Sequence, residues 1–334
     1  MCSIKTYTSR GPFHLLCVPG LVPDGPETFL RQLSIFRRFG SVSIVTYPHD
    51  RFDLDWVINR LIYELHSLVS SGRRVVLVGV SVGGGICIEL LRRLRESDAN
   101  INLSAFILIS PFTCTQDLAP LLARLYGGIV QESDRGEHGR PEQAVERGRT
   151  FFRALASRAS KTKSPTSTYS LWTLLNVLTP YGFIEMEEER IRSRIERTIT
   201  NITPQGGLDR VMALREFRGL DPVADKRRPL TTAPTLILWG SKERHTLTME
   251  GPGTGILCRP DLAIRCFPDV EVHWLYEKNG EEVPHASLLK HYRSFNQPLR
   301  LFLRRCAKPH GWLPRFAHMT RAAMTFPPLL ALRG

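Results

Sequence analysis

Paired cysteines are the first thing this sequence lacks. Seven cysteines are scattered as Cys2, Cys17, Cys87, Cys114, Cys258, Cys266 and Cys306, an odd number with no CxxC spacing among them. That pattern suits a reducing compartment better than a disulfide framework. Cys306 and His310 stand four apart without a second ligand pair, so no zinc site is expected. Long apolar runs are also missing. No stretch reaches the ~18 residues that would suggest a membrane span, and Met1 to Pro12 is polar rather than leader-like. A soluble, cytoplasmic protein is the expectation. The chain has no internal repeat, no zinc finger and no aromatic-and-basic RNA motif. Its net charge of +13 comes mostly from dispersed arginines, with clusters at Arg147 to Arg158, Arg190 to Arg197 and Arg300 to Arg305. The first two clusters have Glu close by and read as solvated helix faces, so no nucleic-acid partner is expected.

What is present is an ordinary globular composition, 42% hydrophobic and 23% charged, enough for a sizeable core over 334 residues. The first third alternates two periodicities. Phe13 to Val18, Ser41 to Tyr47, Val75 to Val80 and Ile101 to Ser110 are short apolar or β-branched runs. Glu27 to Phe39, Leu54 to Val69 and Gly85 to Leu94 carry apolar residues at helical spacing. Strands alternating with helices imply βαβ units, and therefore an α/β fold with a mostly parallel sheet flanked by helices. Strand signal vanishes after Pro111 and returns at Ala233 to Gly240 and Val270 to Tyr276. A closing amphipathic helix is expected over Ala286 to Leu303, kinked or broken at Pro298.

Between these halves lie four helical stretches: Asp117 to Tyr126, Glu142 to Ala156, Ser170 to Val177 and Glu185 to Ile199. The expected organisation is a core of residues 1–111 and 231–306, a helical cap over 112–230, and a tail over 307–334. The cap supplies Leu121, Leu122, Phe151, Phe152, Leu171, Trp172, Leu175, Tyr181 and Phe183, which pack together or line an apolar pocket. In the tail, Trp312, Phe316 and Phe326 alternate with Arg315, Arg321 and Arg333. Such a segment suits peripheral contact with an anionic membrane, docking on the domain, or disorder.

Gly79-Val80-Ser81-Val82-Gly83 matches G-x-S-x-G and sits between an apolar strand and a helix opening with Gly83-Gly84-Gly85. A serine on such a sharp strand-to-helix turn has its hydroxyl lifted clear of the sheet, beside a helix N-terminus that favours developing negative charge. On these residues the chain resembles the α/β-hydrolase superfamily, in its lidded, serine-nucleophile form. The resemblance spans Phe13 to Ser110 and Ala233 to Leu303. It implies a three-layer sandwich with a helical insertion, and reactive residues in the order nucleophile, acid, histidine.

Residue by residue, the resemblance makes Ser81 the nucleophile. Glu243, three positions after the strand-ending Gly240, takes the place of the acid, where the family more often has Asp. Asp117 is the alternative acid, following the strand that ends at Ser110. His285 takes the place of the base at the start of the closing helix, with Pro284 where glycine is usual. His291 and His273 are expected to face elsewhere. The oxyanion hole implied by the family uses the backbone N–H of Val82 and an N–H after an early strand, here Leu21 in Pro19-Gly20-Leu21. The expected activity is that of a serine hydrolase of the carboxylesterase or lipase kind, cleaving a small-molecule carboxylic ester or thioester through a covalent acyl-enzyme, with no metal or organic cofactor. Two alternatives stay open: an acyltransferase using the same acyl-enzyme, and a non-catalytic binding protein on a hydrolase scaffold. The sequence does not indicate an oligomeric state.

Overall fold

The computed structural model describes residues 2–22, 25–99, 101–135, 140, 143, 145–146, 193–277 and 280–308. Most of the expected helix Glu142 to Ala156, the whole of Ser170 to Val177, the apolar residues from Phe151 to Phe183, and the tail beyond residue 308 lie outside them.

Seven strands form one sheet in the order β1-β3-β2-β4-β5-β6-β7. They are β1 Ser3–Tyr7, β2 Phe13–Val18, β3 Gly40–Thr46, β4 Arg74–Val80, β5 Ala105–Ile109, β6 Thr235–Gly240 and β7 Val270–Leu275. All neighbours are parallel except the β1–β3 pair, which is antiparallel. β1 is polar and half-exposed at the sheet edge, which explains its weak sequence signal. The central strands are mostly apolar, and buried at every position but Arg74, because both faces are covered.

The layers follow from the two-residue period of a strand. On β4, Val75 and Leu77 enter one core with Leu61, Leu65, Ile86 and Leu90 of the helices α2 (Leu54–Ser70) and α3 (Val82–Glu96). Val76, Val78 and Val80 enter the other, with Phe29, Phe36, Phe295 and Phe302. Each such fully buried side chain contributes about 1.5–3 kcal/mol. Asp53 caps α2 by accepting a 2.7 Å hydrogen bond from the Trp56 amide.

Three expected helices differ from the observed ones, of which Asp117 to Tyr126 is observed as the helix Pro120–Asp134 behind a 3-10 turn at Thr115–Asp117. Glu27 to Phe39 is not one continuous helix. It is a 3-10 turn, Gly25–Phe29, followed by the single-turn α1 (Leu33–Phe36). Buried Gln32 interrupts it, its amide donating to the Leu288 carbonyl at 3.0 Å and to Asn296 at 3.1 Å. The closing helix, α9 by the numbering used below, is Tyr292–Ala307 rather than one starting at Ala286. Ala286 has φ +46°, which no α-helix accommodates, so His285 lies on a turn ahead of the helix. Pro298 lies inside α9 without ending it.

The segment between β5 and β6 contains α4 (Pro120–Asp134), a helical stretch over residues 193–201, α5 (Pro204–Met212) and α6 (Pro222–Arg227). α4 packs on α5. Thr203 and Gly206 seat α5 on the loop after β3. Thr203 donates to the His49 carbonyl through its amide and its hydroxyl, and a Cβ on Gly206 would stand 2.1 Å from that carbonyl oxygen. The returning segment is tied to α3, whose buried Glu89 accepts from Arg92 and Arg218 and whose Arg95 pairs with Asp225 at 2.6 Å. α7 (Thr254–Leu257) and α8 (Pro260–Cys266) lead into β7, and α9 completes the opposite layer. No described helix is long and apolar enough to cross a membrane.

The parallel part of the sheet starts with β2, turns outward to β3, then returns to β4 and continues the other way. The order reverses between β2 and β4, and the crevice beyond their carboxyl ends is where open parallel sheets bind ligands.

Candidate active site

Ser81 stands at that reversal, between the last residue of β4 and the first of α3. Its backbone is strained, with φ +51° and ψ −120°. The strain is held by three hydrogen bonds: Ser81 N–H to the Ile109 carbonyl at 2.9 Å, and Gly84 and Phe112 N–H to the Ser81 carbonyl at 2.8 and 3.0 Å. The surrounding glycines are required by close approach. A Cβ at Gly83 would lie 2.3 Å from the Val18 and Pro19 carbonyl oxygens, and one at Gly79 would lie 2.7 Å from the Gly83 carbonyl oxygen. Only a glycine-lined helix start can therefore press against β2 and present the serine between two strands.

Three of the sequence-expected residues meet in a line. Ser81 Oγ lies 2.8 Å from His285 Nε2. His285 Nδ1 lies 2.6 Å from Glu243 Oε2. Glu243 is fully buried, whereas the His285 side chain is 17% exposed. With Nδ1–H donating to the carboxylate, Nε2 is left to accept from the serine hydroxyl. The other carboxylate oxygen, Oε1, accepts from the Ser110 hydroxyl and from the Gly240 amide at 3.1 Å.

The histidine turn is fastened to the carboxyl end of β6. Val283 N–H donates to Ser241 Oγ at 2.9 Å, and Lys242 N–H donates to the Val283 carbonyl at 3.0 Å. A Cβ on Gly240 would stand 2.4 Å from that same Val283 carbonyl oxygen. Ala286 N–H donates to Ser110 Oγ at 3.0 Å. Four non-glycine residues among the described ones have left-handed φ, and three of them, Ser81, Ser110 and Ala286, are in this cluster.

Asp117 is placed differently. It is fully buried, and its carboxylate accepts from the amides of Gly253 and Thr254 at 3.1 and 2.7 Å and from the Thr113 hydroxyl at 3.2 Å. It fastens the loop before α7. His291 receives a 2.8 Å contact from the Ser287 hydroxyl, and exposed His273 contacts Glu271, so neither joins the line.

The two oxyanion candidates flank Ser81. Val82 is the first residue of α3, where helix amides have no intrahelical carbonyl. Leu21 follows Gly20, whose position is so close that a Cβ there would touch the Ser81 Cβ at 3.4 Å. Buried Arg210, from α5, braces this loop by donating to the Leu21 carbonyl at 2.9 Å and the Pro48 carbonyl at 3.0 Å. The Tyr47 hydroxyl donates to the Pro19 carbonyl at 2.9 Å.

Five of the cysteines are held as thiols by burial. All seven are free. Burial pushes the thiols of Cys17 and Cys87 up, that of Cys266 to about 12, and those of Cys306 and Cys114 to about 11. The nucleophilic thiolate is scarce at such values.

Ser110, Ser241 and Arg210 carry no motif. Ser110 had one positional signal, its place at the carboxyl end of a central strand, the same edge as Ser81.

No family model matches the sequence, and no curated protein matches it. Solved structures do match the fold. An esterase from Thermogutta terrifontis is 14% identical with a TM-score of 0.54, covering 92% of this chain and 94% of its own. A bromoperoxidase from Bacillus anthracis is 16% identical with a TM-score of 0.53, covering 91% and 95%. An esterase from Exiguobacterium antarcticum is 16% identical with a TM-score of 0.50, over the same shares.

Proposed function

We propose that this chain, whose fold is that of the α/β-hydrolases, is a serine hydrolase of carboxylic esters or thioesters. One observation carries the reading. Ser81 Oγ, His285 and fully buried Glu243 form a continuous hydrogen-bonded line, 2.8 and 2.6 Å between successive partners.

In the proposed mechanism His285 Nε2 takes the Ser81 proton as Oγ attacks the acyl carbon. The carbonyl π electrons move to oxygen, which the Val82 and Leu21 amides stabilise. Collapse expels the alkoxide or thiolate, which leaves with the proton from His285. Water then repeats the sequence on the acyl-serine and releases the carboxylic acid. Glu243 fixes the tautomer and offsets the imidazolium charge. Its burial at the carboxyl end of β6, with donors on both oxygens, suits it to that work. The bonds of Asp117 to the loop before α7 favour Glu243 over Asp117 as the acid.

A fluorophosphonate probe tests the reading. Wild-type protein is expected to be labelled at Ser81, and Ser81→Ala to remain unlabelled. Both Ser81→Ala and His285→Ala should lower p-nitrophenyl ester turnover by on the order of 10⁶-fold. Wild-type protein that resists the probe would sink the proposal, and labelling that survives Ser81→Ala would relocate the nucleophile.

A further inference from the structure

The carboxyl end of β5 touches Ser81, Glu243 and the turn that carries His285. Ile109 and Phe112 hold the Ser81 backbone, through the Ser81 N–H to Ile109 carbonyl and Phe112 N–H to Ser81 carbonyl bonds. Ser110, between them, reaches the other two. Its hydroxyl proton goes to Glu243 Oε1, and its oxygen accepts the Ala286 N–H directly after His285. We propose that Ser110 is a positioning residue for the proposed hydrolysis, a single hydroxyl that sets the Glu243 carboxylate and the His285 turn relative to each other. This inference rests on the reading of Ser81 as nucleophile.

The physical case has three parts. Ser110 and Glu243 are both fully buried, so water cannot replace a missing donor. Oε2 is used by His285 and Oε1 by Ser110 and Gly240, so without the Ser110 hydroxyl the Gly240 amide at 3.1 Å is left to hold Oε1 alone. Both ends of the Ser110–Ala286 contact are strained, each with φ +46°, and the Ser110 amide is fixed to the Leu238 carbonyl of β6 at 2.7 Å. A short β5-to-loop linkage across the top of β6 needs that backbone bend. Strain kept at two non-glycine positions marks a place that the surrounding structure over-determines.

The left-handed φ of Ser110 also supplies the test. Ser110→Gly removes the hydroxyl while relieving the backbone, whereas Ser110→Ala removes the hydroxyl and keeps the strain. A positioning role predicts that both variants lose on the order of 10²-fold in kcat with KM little changed, and that Ser110→Gly melts no lower than Ser110→Ala. A merely structural role predicts that activity follows stability, so that Ser110→Gly works well. The low-field NMR resonance of the His285 Nδ1 proton reads the geometry without any substrate. It should be present in the resting wild-type protein and shifted or lost in both variants. A resonance unchanged in Ser110→Gly, or absent from the wild type, overturns the inference. Failure of fluorophosphonate labelling in wild-type protein would instead sink the hydrolase reading, while the resonance still judges Ser110.

Discussion

At the scale of single residues, two carboxylates with equal burial have different partners. Glu243 and Asp117 are both fully buried. Glu243 faces an imidazole, a hydroxyl and one amide, whereas Asp117 faces two amides and a hydroxyl of its own loop system. Their substitutions should therefore separate. Glu243→Gln removes the charge behind His285 and favours the wrong tautomer, so kcat is expected to fall by about 10⁴-fold. Asp117→Asn leaves the reacting groups alone but cannot satisfy three donors, and is expected to cost about 1–3 kcal/mol of stability with turnover of the same order. Steady-state kinetics beside a urea unfolding curve for each variant measures both effects. A large kcat loss in Asp117→Asn with little in Glu243→Gln would exchange their roles.

Among the elements, α5 ties the loops after β2 and β3 to a distant part of the chain. It belongs to the segment between β5 and β6, yet Arg210 holds the Leu21 carbonyl in the loop proposed to supply an oxyanion amide. The same guanidinium holds Pro48, and the neighbouring Asp209 accepts from the Phe52 amide at 3.1 Å. The loops after β2 and β3 are thus pinned from one side by one helix. Arg210→Ala is expected to lower stability by roughly 1.5–3 kcal/mol, the typical contribution of hydrogen bonds from a charged donor. Turnover should drop more than KM rises, because a loosened Leu21 amide affects the oxyanion rather than ground-state binding. Guanidinium ion added at millimolar levels should restore part of the lost turnover. An unchanged kcat would disconnect α5 from the reaction.

Over the whole molecule, buried histidines link stability to pH. Burial, reinforced by Arg73, lowers His14 below its ordinary value of 6.5, where it meets the Ser43 hydroxyl at 2.8 Å. Burial also lowers His291, with Lys290 acting in the same direction against Glu277 and Glu281. A lowered folded-state value means that the unfolded chain binds the proton more readily. The stabilisation is therefore complete above the unfolded value and is lost as the pH falls below about 6.5. Thermal unfolding from about pH 8 to about pH 5 should show a declining midpoint, with a shallower decline in His14→Gln. The same slope in that variant would remove His14 as a cause.

The fold was legible wherever one physical signal dominated. β2, β4, β5 and β6 are mostly apolar because both faces are buried, and the G-x-S-x-G turn stands out because its glycines are forced by backbone contact. β1 escaped notice because a polar edge strand has little burial to record, and the break in the helix after Gly25 depended on Gln32 bonding to residues more than 250 positions away. His285 was found by its place in chain order, yet its turn, outside the helix, is set by Ser110 and Ser241. The sequence by itself determined the α/β alternation, the serine at the strand-to-helix turn, and the set of acids and histidines from which its partners come. Only the tertiary structure decided between Glu243 and Asp117 as the residue facing His285, and brought in Ser110 and Arg210. Periodicity and spacing record which surface a residue turns toward, whereas hydrogen bonds between distant strands depend on where the sheet order brings their ends together.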